Sequence, residues 1–160
     1  DYNRVVRDLN GRDPDAFLAA LGERFDFEPT RDGRPARRRC CGMYLAGRWS
    51  RLTAEGGSFP ADDPVKCLDV AILQDNLLAP VLGIGDPRSD ERIDFVGGIR
   101  GLTELERRVD SGEWVVAFAL HPTSIDQLFD VADAGLVMPP KSTWFEPKLR
   151  SGLIVRPLSD

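Results

Sequence analysis

Lys141-Ser142-Thr143 places a cation beside two hydroxyls, the residue types that hold a phosphate or carboxylate. Lys148 adds a second cation, and Trp144 and Phe145 lie between. Lys-Ser-Thr also ends the phosphate-binding P-loop, whose glycine-rich backbone offers N–H groups to the phosphate. Here Pro139 and Pro140 precede the lysine and have no N–H to offer, so a Walker-type site is not expected. The segment from Met138 to Lys148 reads instead as a proline-stiffened strap. Lys141, Ser142, Thr143 and Lys148 are its candidate anion ligands. The plainer alternative is a rigid turn whose aromatic pair simply packs.

Other residues could assist. Arg4, next to Asn3, could clamp an anion through its planar fork, although Tyr2, Val5 and Val6 also fit a strand. Asp94 sits among Ile93, Phe95 and Val96, where a buried carboxylate needs a partner. His121, the single histidine, follows an apolar strand and precedes a helix start, a place where ligands often bind. Asp94 and His121 are the candidates for proton transfer. Gly97-Gly98 permits close approach of a ligand or of another backbone segment. Cys40, Cys41 and Cys67 lack zinc-site spacing and read as small apolar residues of a reducing, cytoplasmic protein. Arg34, Arg37, Arg38 and Arg39 read as a solvated loop.

The elements that must position these groups follow from periodicity. At 160 residues and 42% hydrophobic, the chain can bury one core. A net charge of −5 argues against nucleic acid and anionic membranes as partners. Asp13-Pro14-Asp15 starts a helix expected to end near Phe25. Residues 41–45 and 48–53 form a hairpin around Ala46-Gly47. Residues 68–81 and 102–109 are amphipathic helices, and 92–96 is a strand. The continuous apolar run 113–120 reads as a central strand covered on both faces. A helix capped by Thr123 and Asp126 should follow, with Ile125, Leu128, Phe129 and Ala132 inward. Leu153-Ile154-Val155 reads as a last strand. The expectation is an α+β fold, a single domain over residues 1–160 with a mixed sheet and about four helices.

Taken together, Tyr2 to Gly11, Asp94-Phe95-Val96-Gly97-Gly98 and Met138 to Gly152 resemble the C-terminal part of a prokaryotic family, domain-of-unknown-function family 1015. Supporting stretches are Leu68 to Gln74, Leu82-Gly83-Ile84 and Pro122-Thr123-Ser124. The resemblance implies a cytoplasmic α/β protein, sometimes associated with serine-biosynthesis genes. It also implies a longer protein whose N-terminal part is absent here. That part carries a histidine-rich Asp-Gly-His-His-Arg segment similar to loops of ParB-like proteins and their free-serine kinase relatives.

Two functions are expected. One is the ligand-binding half of a small-molecule enzyme acting on phosphorylated or carboxylated metabolites or nucleotides, with phosphoryl transfer as the reaction class. Magnesium and a nucleotide are the cofactors that chemistry would use. The other is a non-catalytic regulatory or protein-interaction module, with the missing N-terminal half as a partner.

Overall fold

The computed structural model describes residues 1–143. Six strands form one sheet: β1 (Tyr2–Val6), β2 (Phe25–Thr30), β3 (Cys40–Leu45), β4 (Arg48–Ala54), β5 (Ile93–Gly97) and β6 (Val116–Leu120). Their spatial order is β2-β4-β3-β6-β1-β5, and every pairing is antiparallel. The class is α+β, as expected. Among the described residues the sheet is antiparallel rather than mixed, because each strand returns beside its neighbour in the opposite direction.

β3 and β4 turn at Ala46 and Gly47, whose φ values of 49° and 76° are both positive. That pairing suits a two-residue hairpin, because its twist matches that of the strands. β6 lies between β3 and β1, and all five of its residues are buried. Its side chains alternate in size. Val116, Phe118 and Leu120 fill one core, while Ala117 and Ala119 leave room for a helix on the other face.

The first face carries α1 (Pro14–Leu21), α2 (Asp69–Leu73) and Val131 of α4 (Ile125–Asp133). Asp13 caps α1 by accepting the Ala16 N–H at 2.8 Å, with Pro14 in the first turn. The helix ends at Leu21, earlier than its periodicity suggests, and Phe25 already opens β2. α2 continues into a π-helical turn over Gln74–Leu78, where the Ala79 N–H reaches the Gln74 carbonyl at 3.0 Å. This wider turn directly precedes Pro80, which has no N–H with which to continue a helix. Full burial of Phe17, Leu21, Leu73 and Phe118 in this core contributes about 1.5–3 kcal/mol each.

The second face carries α3 (Gly101–Asp110), which buries Leu105 and Val109 against Val5, Tyr44 and Trp49. Polar contacts pin it down. The Trp49 indole donates to Glu106 at 2.7 Å, and the Tyr44 hydroxyl donates to Asp110 at 3.1 Å.

α4 departs from its sequence pattern. Its cap is Ser124 with Gln127 in a reciprocal capping box, rather than Thr123 with Asp126. That register buries Gln127 and Val131. Ile125 is left 67% exposed and Phe129 58% exposed, so the expected inner face points outward. The expected final strand and the Trp144-Phe145 pair lie outside the described residues. Among the described residues, no helix is long and apolar enough to cross a membrane.

Candidate functional site

β1 is where the site begins. Alternation along it sends Tyr2, Arg4 and Val6 to the first face, and Asn3 and Val5 to the second. Arg4 is opposite Phe95 of β5, so both side chains share the first face beyond the end of α2. The guanidinium carbon stands 5.3 Å from the Phe95 ring centre. Arg4 is only 4% exposed.

The Arg4 guanidinium donates to the carbonyls of Tyr2 and, at 2.9 Å, of Lys141. A guanidinium has five N–H groups, so donors remain. Among the described residues no carboxylate forms an ion pair with Arg4. Burial pushes its pKa down to about 9, with Tyr2 opposing. A buried, uncompensated cation is unfavourable in the free protein and favours an incoming anion.

Arg4 lines a cleft of about 540 Å³ between α2, the 85–88 loop and the strap prolines Pro139 and Pro140. Lys66 and Arg88 add cations to it, and Asp75 and Asp86 add carboxylates. Asp86 is committed to Arg88, at 2.9 Å, and this contact holds its carboxyl down to about 2. A cleft of similar size, about 530 Å³, opens on the other face around Arg7, Asp94 and Arg108. Its cations are already matched: Arg7 by Glu113 at 3.0 Å and Arg108 by Asp94 at 2.6 Å. Among the described residues, Arg4 is a buried cation lining a cleft with no carboxylate paired to it.

The expected site residues are divided by the sheet. Lys141 stands beside Arg4, its ammonium 5.7 Å and 5.6 Å from the Tyr2 and Phe95 ring centres. Ser142 is buried, and its carbonyl accepts from the Thr123 hydroxyl at 3.0 Å. Thr143 lines a small cleft with Ser124, Ile125 and Leu128. Asn3 points to the second face, where its side-chain oxygen accepts the Leu120 N–H at 2.9 Å. Asp94 also faces that side, paired with Arg108, so the sheet separates it from Arg4. Lys148 lies outside the described residues. A side chain at Gly98 would strike the Asp1 carboxyl group, and the Gly98 N–H donates to the Asp1 carbonyl at 3.0 Å.

His121 stands apart from both clefts, its Nδ1 3.0 Å from the Pro122 carbonyl. Its charge is felt at Asp69, a residue whose type and position in the sequence gave no sign of this role. Burial pushes the Asp69 carboxyl up. The Arg39 N–H, donating at 2.6 Å, opposes that shift, as do the charges of His121 and Arg38. The neighbouring Cys41 thiol is pushed up, first by burial and then by Asp69. Among the described residues no three His, Cys, Asp or Glu side chains converge as metal ligands would.

Fold and site define an α+β domain built on one antiparallel sheet, with a buried arginine that has no carboxylate partner among the described residues lining a cleft on one face. A family described as "Protein of unknown function (DUF1015)" matches residues 1–71, a stretch that includes Arg4 and runs into α2. No curated protein and no solved structure matches the chain.

Proposed function

We propose that this chain is the ligand-binding part of a small-molecule enzyme, and that the Arg4 cleft receives the anionic group of its substrate. We extend the family similarity of residues 1–71 to the whole chain on the same reading. The observation that carries it is a guanidinium that is 4% exposed, lines a cleft and has no carboxylate partner among the described residues. Phosphorylated and carboxylated metabolites both offer the anion such a group recognises. Phosphoryl transfer fits as the reaction class, since it depends chiefly on positioning and charge stabilisation. Calorimetric titration with inorganic phosphate and with acetate tests the reading. Arg4→Met should abolish the binding of whichever anion is taken up, and Asp94→Asn, on the opposite face, should leave it unchanged. Binding that survives Arg4→Met in a folded protein sinks the proposal.

A second reading, a protein-interaction module, is favoured by α4. Ile125 and Phe129 form an exposed apolar stripe, extended by Leu136 and Val137. Asp126, Asp130 and Asp133 flank it at helical spacing. Its complement is an apolar protein surface bordered by basic side chains. Phe129→Glu should abolish association with such a partner while leaving anion binding intact. Association that persists unchanged in that variant removes this reading.

A further inference from the structure

Resting on the anion-binding reading, we propose that the ligand of the Arg4 cleft is a carboxylate monoanion with a compact apolar body, and not a polyphosphate. Three features of the cleft point the same way.

The first is charge. Arg4, Lys66 and Arg88 face Asp75 and Asp86, which leaves the lining with a net charge of +1. A single negative charge balances that. A nucleoside triphosphate would bring several, with Asp75 and Asp86 adding repulsion.

The second is the shape of the deep donor. One buried guanidinium lines the cleft, and with one N–H on each terminal nitrogen given to the Tyr2 and Lys141 carbonyls it retains N–H groups of the planar kind that a single carboxylate matches. Among the described residues no helix of eight or more residues begins at this cleft, and Pro87, Pro139 and Pro140 in its lining have no N–H to offer a polyphosphate.

The third is the wall. Val65, Val70, Ala71, Pro87, Pro139 and Pro140 line most of the remaining surface. Apolar walls gain from an apolar body and make removal of water from a polyphosphate costly. A volume of about 540 Å³ accommodates a ligand of small-molecule size.

The test is calorimetry on the whole chain with four probes: acetate, cyclohexanecarboxylate, inorganic phosphate and ATP. Cyclohexanecarboxylate should bind about tenfold or more tighter than acetate, because its ring is removed from water. It should also bind more tightly than phosphate or ATP. Ala71→Leu, which fills the wall without touching the charges, should erase the advantage of cyclohexanecarboxylate over acetate. Arg4→Met should abolish the binding of both carboxylates. Where Arg4→Met does not fold, Ala71→Leu decides the matter, and an undiminished ring advantage in that variant overturns the proposal. Phosphate or ATP binding as tightly as cyclohexanecarboxylate, with the same dependence on Arg4, overturns the ligand class and leaves the anion site standing. Absence of binding by all four probes overturns both.

Discussion

The Arg4 guanidinium donates a 2.9 Å hydrogen bond to the carbonyl of Lys141, joining positions 137 residues apart. Lys141 has a φ of 57°, in the left-handed region that non-glycine residues seldom enter. The backbone at Lys141 is therefore held in an unfavourable conformation beside the same buried cation that lines the cleft. Lys141→Ala and Lys141→Gly both remove the ammonium, but only glycine relieves the backbone. The glycine variant should be more stable than the alanine variant by about 1 kcal/mol, read from denaturant melts. Equal stability of the two would show that the strap is not strained there.

α4 supplies a test of helix register. Phe129 and Ile125 face solvent, so Phe129→Ser and Ile125→Ser should each change stability by no more than about 0.5 kcal/mol. Val131 is 1% exposed, and Val131→Ala should be the more damaging change, by about 1–2 kcal/mol. The reverse order would mean that the helix packs by its sequence periodicity after all.

Asp69 makes stability depend on pH in a direction set by its surroundings. Its folded pKa lies above the ordinary 3.8, chiefly because it is buried. Just above 3.8 the folded chain therefore holds a proton that the unfolded chain has released. Stability from this group is full below 3.8 and falls as pH rises through the folded value. Asp69→Asn can still accept from Arg39 but cannot ionise. It should gain on the native protein as pH is raised from below 4 towards neutrality. Denaturant melts across that range give the answer, and a pH-independent difference would refute the assignment.

The Gly42–Gly33–Trp49 contact fixes how the 31–39 loop lies on the sheet. A side chain at Gly42 would come within 2.0 Å of the Gly33 carbonyl oxygen, and one at Gly33 within 2.2 Å of the Trp49 ring. Gly42→Ala should destabilise by about 1–3 kcal/mol, since neither backbone nor ring can yield cheaply. Thermal melts that match the native protein within error would show the loop to be free of the sheet.

The sequence by itself determined the elements whose signals are local. Asp13-Pro14 starts α1, Ala46-Gly47 turns the hairpin, and the apolar run through Leu120 becomes the central strand. These rest on capping, on left-handed φ and on side-chain period, all properties of neighbouring residues. It also drew attention to Arg4 and Lys141, because a cation beside an apolar strand and one beside two prolines are locally conspicuous.

Only the tertiary structure decided which of those residues meet. The antiparallel order β6-β1-β5 sets Arg4 opposite Phe95 and Asp94 opposite Val5. One step along a strand reverses the face, so Asp94 is separated from the cleft by the thickness of the sheet. The exposure of the apolar stripe on α4 was equally unreadable, because the Ser124–Gln127 capping box sets the helix's start and register. Arg4 shows the same limit. Whether a cation is solvated or buried without a counter-charge depends on what the fold brings around it, and here that is Lys141, distant in the chain and adjacent in space.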